Sequence, residues 1–139
     1  MNTKELLDSF EFLDTWDQRY EFIADLGRDL LPLDPREKTE ANLIAGCDTR
    51  TWLTARLAGN PPVLEYRADA EGPLVRGLVV LLLTPFQGKT PEQAVATDPK
   101  DFISKLGFES ALSAKRQAGM QAFLERVKEI AWRHCGEAS

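Results

Sequence analysis

Apolar residues recur at helical spacing near both ends of the chain. Asn2 and Glu5 are spaced as a capping box ahead of apolar positions 6, 7, 10 and 13, which predicts a first helix. Thr15 is a suitable N-cap for a second helix that stops before Pro32. Near the other end, Ser113 precedes a long helix. The apolar face of that helix comprises Met120, Phe123, Leu124, Val127, Ile130 and Ala131.

The middle of the chain alternates instead between apolar and polar positions, as half-buried strands do. Residues 51–57 and 63–68 alternate in this way, and Gly59-Asn60-Pro61-Pro62 between them is a turn signal. The two segments predict an antiparallel hairpin. Residues 42–45 are predicted to add a third strand, joined to the hairpin by a loop that contains Cys47. The expected fold class is therefore α+β, with a small three-stranded antiparallel sheet packed against helices.

The segments after the hairpin are predicted to be helical. Residues 74–83 form an apolar run that could be a buried strand, but its length and the preceding Pro73 favour a helix. Thr90, Pro91 and Gln93 have the order of an N-cap, a first-turn proline and a capping-box partner. A further short helix is expected to end at Gly107.

Composition predicts a single domain spanning residues 1–139. The net charge is −5, and acidic and basic residues are interspersed, which disfavours nucleic acid or an anionic membrane as a partner. The longest apolar run, residues 78–83, is far shorter than the roughly 20 residues of a membrane helix. A soluble, non-secreted, cytoplasmic protein is expected. Asp69 and Glu71 are expected to lie in a solvated turn rather than to act as an acid–base pair.

Cys47 is the candidate reactive residue. It follows Gly46, precedes polar residues and lies at a predicted loop tip. A small buried residue at a tight turn and a functional thiol are both compatible with this context. Arg50 could stabilise a thiolate if its side chain folds back, whereas Asp48 would oppose the negative charge.

The remaining cysteine and histidine disfavour hydrolytic and metal chemistry. His134 is the one histidine and lies at the far end of the last predicted helix, so nothing in the sequence brings it near Cys47 as a base. Two cysteines and one histidine cannot supply the four ligands of a structural zinc site. Cys135 is interpreted as an incidental thiol, with a resolving cysteine as the alternative. No metal and no cofactor are expected.

Several short motifs follow one another along the chain. They are residues 16–20, Gly46-Cys47-x-Thr49-x-x-Trp52, residues 68–78, residues 88–92 and the Ser113-x-x-Arg116-x-x-Gly119 run. As an ordered set they resemble the SufE family of sulfur acceptor proteins. The Cys47 motif is similar to the family's Gly-Cys-x-Ser-x-Val-Trp signature, with Thr49 in place of the usual Ser and Thr51 in place of the usual Val.

The resemblance implies an α+β fold of the type shared with the IscU scaffold protein. It implies that Cys47 takes persulfide sulfur from a PLP-dependent cysteine desulfurase, SufS- or CsdA-like, and stimulates that enzyme. The sulfur would then be relayed to an iron–sulfur scaffold complex resembling SufBCD. Arg116 would help to stabilise the thiolate or persulfide. The loop around the cysteine would be shaped by Gly46, Asp48, Thr49, Arg50 and Trp52.

A carrier of this kind needs an accessible thiolate but no histidine, metal or organic cofactor, so the absence of other catalytic residues fits it better than it fits an enzyme. The alternative is a binding or regulatory module that docks on a desulfurase and carries no sulfur.

Overall fold

The architecture is α+β, with helices packed around a single hairpin. The computed structural model describes residues 1–107 and 109–136, so residues 108 and 137–139 of the predicted domain 1–139 lie outside the described residues. The elements in chain order are α1 (Thr3–Glu11), α2 (Trp16–Asp29), β1 (Thr51–Ala58), β2 (Val63–Ala70), α3 (Pro73–Leu83), α4 (Pro91–Ala96), α5 (Lys100–Leu106) and α6 (Ala114–His134).

The predicted helix starts are confirmed by their local hydrogen bonds, whereas α1 ends at Glu11, before Leu13, which is predicted to lie on its apolar side. Asn2 Oδ1 accepts from the Glu5 N–H at 2.9 Å, and Thr15 Oγ1 accepts from the Gln18 N–H at 3.2 Å. Thr90 does the same for α4, again within a complete capping box. These bonds satisfy N–H groups that a helix cannot pair internally, which is why such short signals are readable from sequence.

The hairpin is also confirmed, and it is slightly longer than predicted. β1 and β2 pair antiparallel in a register that runs from Thr51 opposite Ala70 to Ala58 opposite Val63. Tyr66 of β2 reaches across the core, and its hydroxyl donates to the Val127 carbonyl of α6 at 2.9 Å. The sheet therefore packs directly on the long C-terminal helix.

The predicted third strand at residues 42–45 is wrong. The sheet that the described residues form has two strands. Among the described residues, this segment makes an isolated bridge between Leu43 and Trp52, with a bond from the Ile44 N–H to the Thr51 carbonyl at 2.8 Å.

The backbone of residues 40–43 is bonded to other partners in place of a neighbouring strand. Glu40–Asn42 forms a 3₁₀ turn, which removes that stretch from any ladder. The Arg126 guanidinium of α6 donates to the carbonyls of Ala41 and Leu43. A tertiary contact from a distant helix thus takes hydrogen bonds that a strand would have used.

The outer edge of β2 is covered by the chain that follows α3. The Gln87 side chain both accepts from the Tyr66 N–H at 2.9 Å and donates to the Tyr66 carbonyl at 2.8 Å. Leu64 exchanges backbone bonds with Lys89 and Gly88. A two-stranded sheet is marginal by itself, and these bonds protect the edge that it would otherwise expose.

Helices α2 and α3 cross at two glycines. A Cβ atom added at Gly27 would lie 1.9 Å from the Pro73 carbonyl oxygen, and one at Gly77 would lie 1.8 Å from the Ile23 carbonyl oxygen. The two backbones are in direct contact at this crossing, so no other residue fits there without moving a helix.

We expect Gly77→Ala to destabilise the protein by about 3 kcal/mol or more, at the upper end of overpacking effects. Urea unfolding measures the loss. Gly119→Ala in α6 is the matched control, because its added Cβ would lie 3.5 Å from the nearest atom, an ordinary contact. Alanine also favours a helix by about 1 kcal/mol relative to glycine. Equal stability of the two variants would contradict the close crossing.

Asp69 does not lie in a solvated turn as predicted. It is 1% exposed at the end of β2. Its carboxylate accepts from the Leu33 N–H at 3.0 Å and the Ala70 N–H at 2.8 Å. Lys38 Nζ and Arg76 Nη1 lie 3.3 and 3.4 Å from its oxygens. Burial pushes the pKa of Asp69 upward, but these donors and charges outweigh it and hold the pKa below its usual value.

Candidate functional site

The Cys47 loop, residues 45–50, projects from a two-residue stem. The stem is closed by the Leu43–Trp52 bridge and by the bond from the Ile44 N–H to the Thr51 carbonyl. Gly46 has φ 90°, in the left-handed region, so a side chain there would strain the loop. The chain thereby turns sharply just before the cysteine.

The Cys47 thiol rests against the backbone of α6. Its S–H donates to the Gly119 carbonyl with an Sγ–O distance of 3.6 Å. Gly119 has no side chain, and a Cβ at that position would lie 3.5 Å from Sγ. The glycine in the middle of α6 therefore lets the thiol approach the helix closely.

A small cavity of about 50 Å³ adjoins the thiol, between α3 and α6. Its apolar walls include Leu78 and Leu82 of α3 together with Met120 and Phe123 of α6. A space of this size accommodates a few water-sized groups. The polar residues that line it are Asp48, Thr49, Thr51, Lys115 and Arg116.

Two effects shift the pKa of Cys47 in opposite directions. Burial beside the apolar walls raises the pKa of the Cys47 thiol, and hydrogen bonding by the Thr51 side chain lowers it, with burial dominating. The Thr51 hydroxyl also donates to the Thr49 carbonyl at 3.0 Å. Because a hydroxyl has one proton, donation to a Cys47 thiolate would have to replace that bond.

We expect Thr51→Val to raise the pKa of Cys47 further, because it removes the one side-chain group that lowers it. At a fixed pH below that pKa, alkylation of Cys47 by iodoacetamide should slow several-fold, since only the thiolate reacts. The pH profile of alkylation, followed by mass spectrometry of the Cys47 peptide, checks this. Thr54→Val, at another position of β1, is the control; a profile of Thr51→Val that overlays the wild type would contradict the role of the hydroxyl.

The other predicted site residues divide into two groups. Asp48, Thr49 and Arg116 line the cavity beside Cys47. The Arg50 guanidinium instead faces Glu71 at 3.6 Å on the exposed surface. Arg50 is therefore not folded back on the thiol.

Trp52 lies at the stem of the Cys47 loop, where it pairs with Leu43. It is 9% exposed and has Lys38 Nζ over its ring at 5.1 Å from the ring centroid. Since Lys38 also pairs with Asp69, the loop stem is connected to the buried carboxylate. Trp52 is thus a structural support and does not line the cavity.

His134 and Cys135 lie far from the thiol. His134 is the last residue of α6, which also contains Gly119. At 1.5 Å per residue the two are separated by about 22 Å along the axis, too far for His134 to act as a base for Cys47. Within residues 1–107 and 109–136, no group of three or more His, Cys, Asp or Glu side chains could hold a metal ion.

Sequence reasoning did not identify Gly119 and Thr51 as parts of the cysteine's surroundings. A glycine inside a predicted helix is a signal for close backbone approach, since it costs helix stability. Thr51 was visible only as a departure from the family's usual Val. Nothing in the sequence indicates the contact with Cys47, because Gly119 is 72 positions away.

No helix in the described part of the chain is long and apolar enough to cross a membrane.

Three comparisons relate the chain to known sequences. The family model described as SufE, Fe-S metabolism associated domain, matches residues 4–131. A SufE-like protein from Rhizobium etli is 33% identical over 129 residues, which cover 91% of this chain and 87% of that protein. The sulfur acceptor protein CsdE from Escherichia coli is 35% identical over 127 residues, covering 91% and 86% of the two chains.

A solved structure also matches. The solution structure of a hypothetical protein from Thermus thermophilus superposes with a TM-score of 0.75, at 22% identity, and 96% of each chain is covered. This likeness extends to the fold as a whole.

Proposed function

Because this chain belongs to the SufE family of Fe-S metabolism associated domains, we propose that it is a sulfur acceptor that carries sulfane sulfur on Cys47. The donor is the persulfide of a PLP-dependent cysteine desulfurase, and the sulfur passes onward to an iron–sulfur scaffold complex. The similarity to the E. coli sulfur acceptor CsdE supports the acceptor role. The carrier would work in the cytoplasm, where thiols remain reduced.

The observation that carries the proposal is the isolation of one thiol beside a small apolar cavity. Cys47 is half-buried, and its Sγ contacts a glycine backbone. The adjoining space of about 50 Å³ is too small for an organic substrate but suits one additional sulfur atom. Such walls would keep water and small thiols from a bound persulfide.

The transfer is a thiol–persulfide exchange. The Cys47 thiolate attacks the terminal sulfur of the donor's persulfide; the new S–S bond forms on Cys47 while the donor's S–S bond breaks. The donor cysteine leaves as a thiolate with the electron pair, and the proton lost by Cys47 can pass to it or to water. No external oxidant or reductant is needed. Onward transfer repeats the exchange with a recipient thiolate.

Arg116 is proposed to stabilise negative charge at this site. It lines the same cavity as Cys47, and a guanidinium offers five N–H donors to a negatively charged group. In the described structure Thr51 is the side-chain group that lowers the pKa of Cys47, so Arg116 is proposed to act when its cation approaches the thiolate or the bound persulfide. The conformation of the Cys47 loop is proposed to be set by the residues around the cysteine, namely Gly46, Asp48, Thr49, Arg50 and Trp52.

The experiment is to incubate the protein with a purified cysteine desulfurase and cysteine and to analyse the intact protein by mass spectrometry. We expect a gain of one sulfur that maps to the Cys47 peptide and disappears on treatment with a reductant. Controls omit cysteine or the desulfurase. Binding to the desulfurase without any sulfur adduct would reject the carrier and favour a docking or regulatory module.

A further inference from the structure

One stripe of α6 forms the contact surface for the Cys47 loop and its stem. The stripe consists of Gly119, Ala122 and Arg126, which are three and four positions apart and therefore share a helix face. Gly119 accepts the Cys47 S–H, and a Cβ placed on Gly46 would lie 3.6 Å from the Ala122 Cβ. Two small residues thus let the loop lie flat on the helix, and the third is a long cation.

Arg126 binds the backbone at the base of this loop. Its Nη1 donates to the Ala41 carbonyl at 3.1 Å, and its Nη2 donates to the Leu43 carbonyl at 3.5 Å. The Nε lies 3.9 Å from Glu129 Oε2, and the side chain is only 24% exposed. The planar guanidinium therefore binds two carbonyls at the same time, that of Ala41 in the 3₁₀ turn and that of Leu43 just after it.

We propose that Arg126 is a positioning residue for Cys47: it fixes the loop stem on α6 and thereby holds the thiol beside the Gly119 carbonyl and the apolar cavity. The stem is also held by the Leu43 bridge, by the Ile44 N–H bond to β1 and by the buried Ile44 side chain, but these contacts face β1 and the core, whereas Arg126 supplies the bonds from α6. Releasing the two carbonyls would loosen the contact of the loop, residues 45–47, with α6 while Ile44 stays in the core, and the thiol would become more solvated.

In this proposal, the Arg126 contacts to the stem set the solvent exposure of the Cys47 thiol. The positioning role stands on the contacts alone, while its importance for sulfur acceptance rests on the proposed function. A test that uses the chemistry of the thiol and no partner protein therefore keeps the failure of the positioning role distinguishable from the failure of the carrier proposal.

The test compares Arg126→Met with Arg133→Met, both in a Cys135→Ser background so that only Cys47 reacts. Arg133 lies on the same helix and also pairs with Glu129, but its guanidinium is exposed. Alkylation of Cys47 by iodoacetamide is followed across a range of about pH 6–10, which brackets the ordinary pKa of a thiol. Arg126→Met should react roughly three- to tenfold faster near pH 8, with a lower apparent pKa of the thiol, because up to tenfold more thiolate accompanies a pKa decrease of about one unit.

Arg133→Met should match the parent protein. Arg126→Lys should fall between the parent and Arg126→Met, since an ammonium cannot bind two carbonyls with the same geometry. If Arg126→Met fails to fold, the lysine variant serves in its place, with amide exchange at the Ile44 N–H as a local probe of the stem. Unchanged rates and pKa in the folded Arg126 variants, or an equal change in Arg133→Met, would overturn the proposal.

Discussion

Cys47→Ser is expected to abolish sulfur loading of this protein and its stimulation of a cysteine desulfurase. A serine hydroxyl stays protonated at neutral pH and is a far weaker nucleophile than a thiolate, so the loss should be at least about 100-fold. The oxygen is close in size to the sulfur, and the half-buried position keeps its neighbours, so the fold should persist. The measurement is the rate of sulfide release by the desulfurase with and without the protein, together with intact mass.

Cys135→Ser is the matched control, since Cys135 follows the last turn of α6 and lies far from the cavity. It should load sulfur and stimulate the desulfurase as the wild type does. Loading on Cys135, or full stimulation by Cys47→Ser, would contradict Cys47 as the acceptor. Stimulation without loading in the serine variant would leave docking as the source of the effect.

Asp69→Asn is expected to be the most destabilising of the proposed substitutions. The carboxylate is 1% exposed and compensates Lys38 and Arg76, so its neutralisation leaves two cations without their counter-charge. Removing one partner of a buried ion pair typically costs about 3–5 kcal/mol. That is a large part of the roughly 5–15 kcal/mol by which native domains are stable. Urea unfolding near neutral pH measures the difference.

The pH dependence provides a second readout of the same network. Because the folded protein holds the pKa of Asp69 below its ordinary value, the carboxylate contributes stability that is present above about pH 4 and lost as the pH falls through the folded-state pKa. The stability difference between wild type and Asp69→Asn should therefore shrink on acidification below about pH 4. A difference that stays constant from neutral to strongly acidic pH would argue against this charge network.

Asp101→Asn is the control for a surface carboxylate. Asp101 pairs with Lys105 at 3.1 Å, but its side chain is 81% exposed. Exposed ion pairs contribute little, so this variant should unfold close to the wild type. Similar losses for Asp69→Asn and Asp101→Asn would show that burial of Asp69 is not what matters.

Local signals predicted much of the fold because the interactions behind them are local. The capping boxes at Asn2, Thr15 and Thr90 join residues three positions apart, and the αL cap at Gly107 needs only one glycine. The hairpin is closed by a short turn rich in proline and glycine. The prediction of a third strand was wrong for the opposite reason. Arg126 binds the carbonyls of Ala41 and Leu43 from a position more than 80 residues away.

The prediction that Asp69 lies in a solvated turn was wrong for the same reason. An aspartate next to alanines and a glutamate has the composition of a solvated turn, and its sequence neighbours do not reveal burial. Leu33, Lys38 and Arg76 make it a buried anchor only after α3 and the segment after α2 have packed against β2. Likewise, the helical pattern of α2 and α3 did not indicate that Gly27 and Gly77 form the crossing.

The sequence by itself determined the helix starts, the hairpin, Cys47 as the candidate reactive residue and the family resemblance, because each depends on residues close together in the chain or on an ordered set of motifs. The tertiary structure alone decided what surrounds that thiol: the Gly119 carbonyl, the cavity between α3 and α6, and the Arg126 contacts to the stem. It also turned Arg50 toward Glu71 and away from Cys47. These features depend on how separate elements pack, and packing brings together residues whose spacing along the chain carries no trace of their contact.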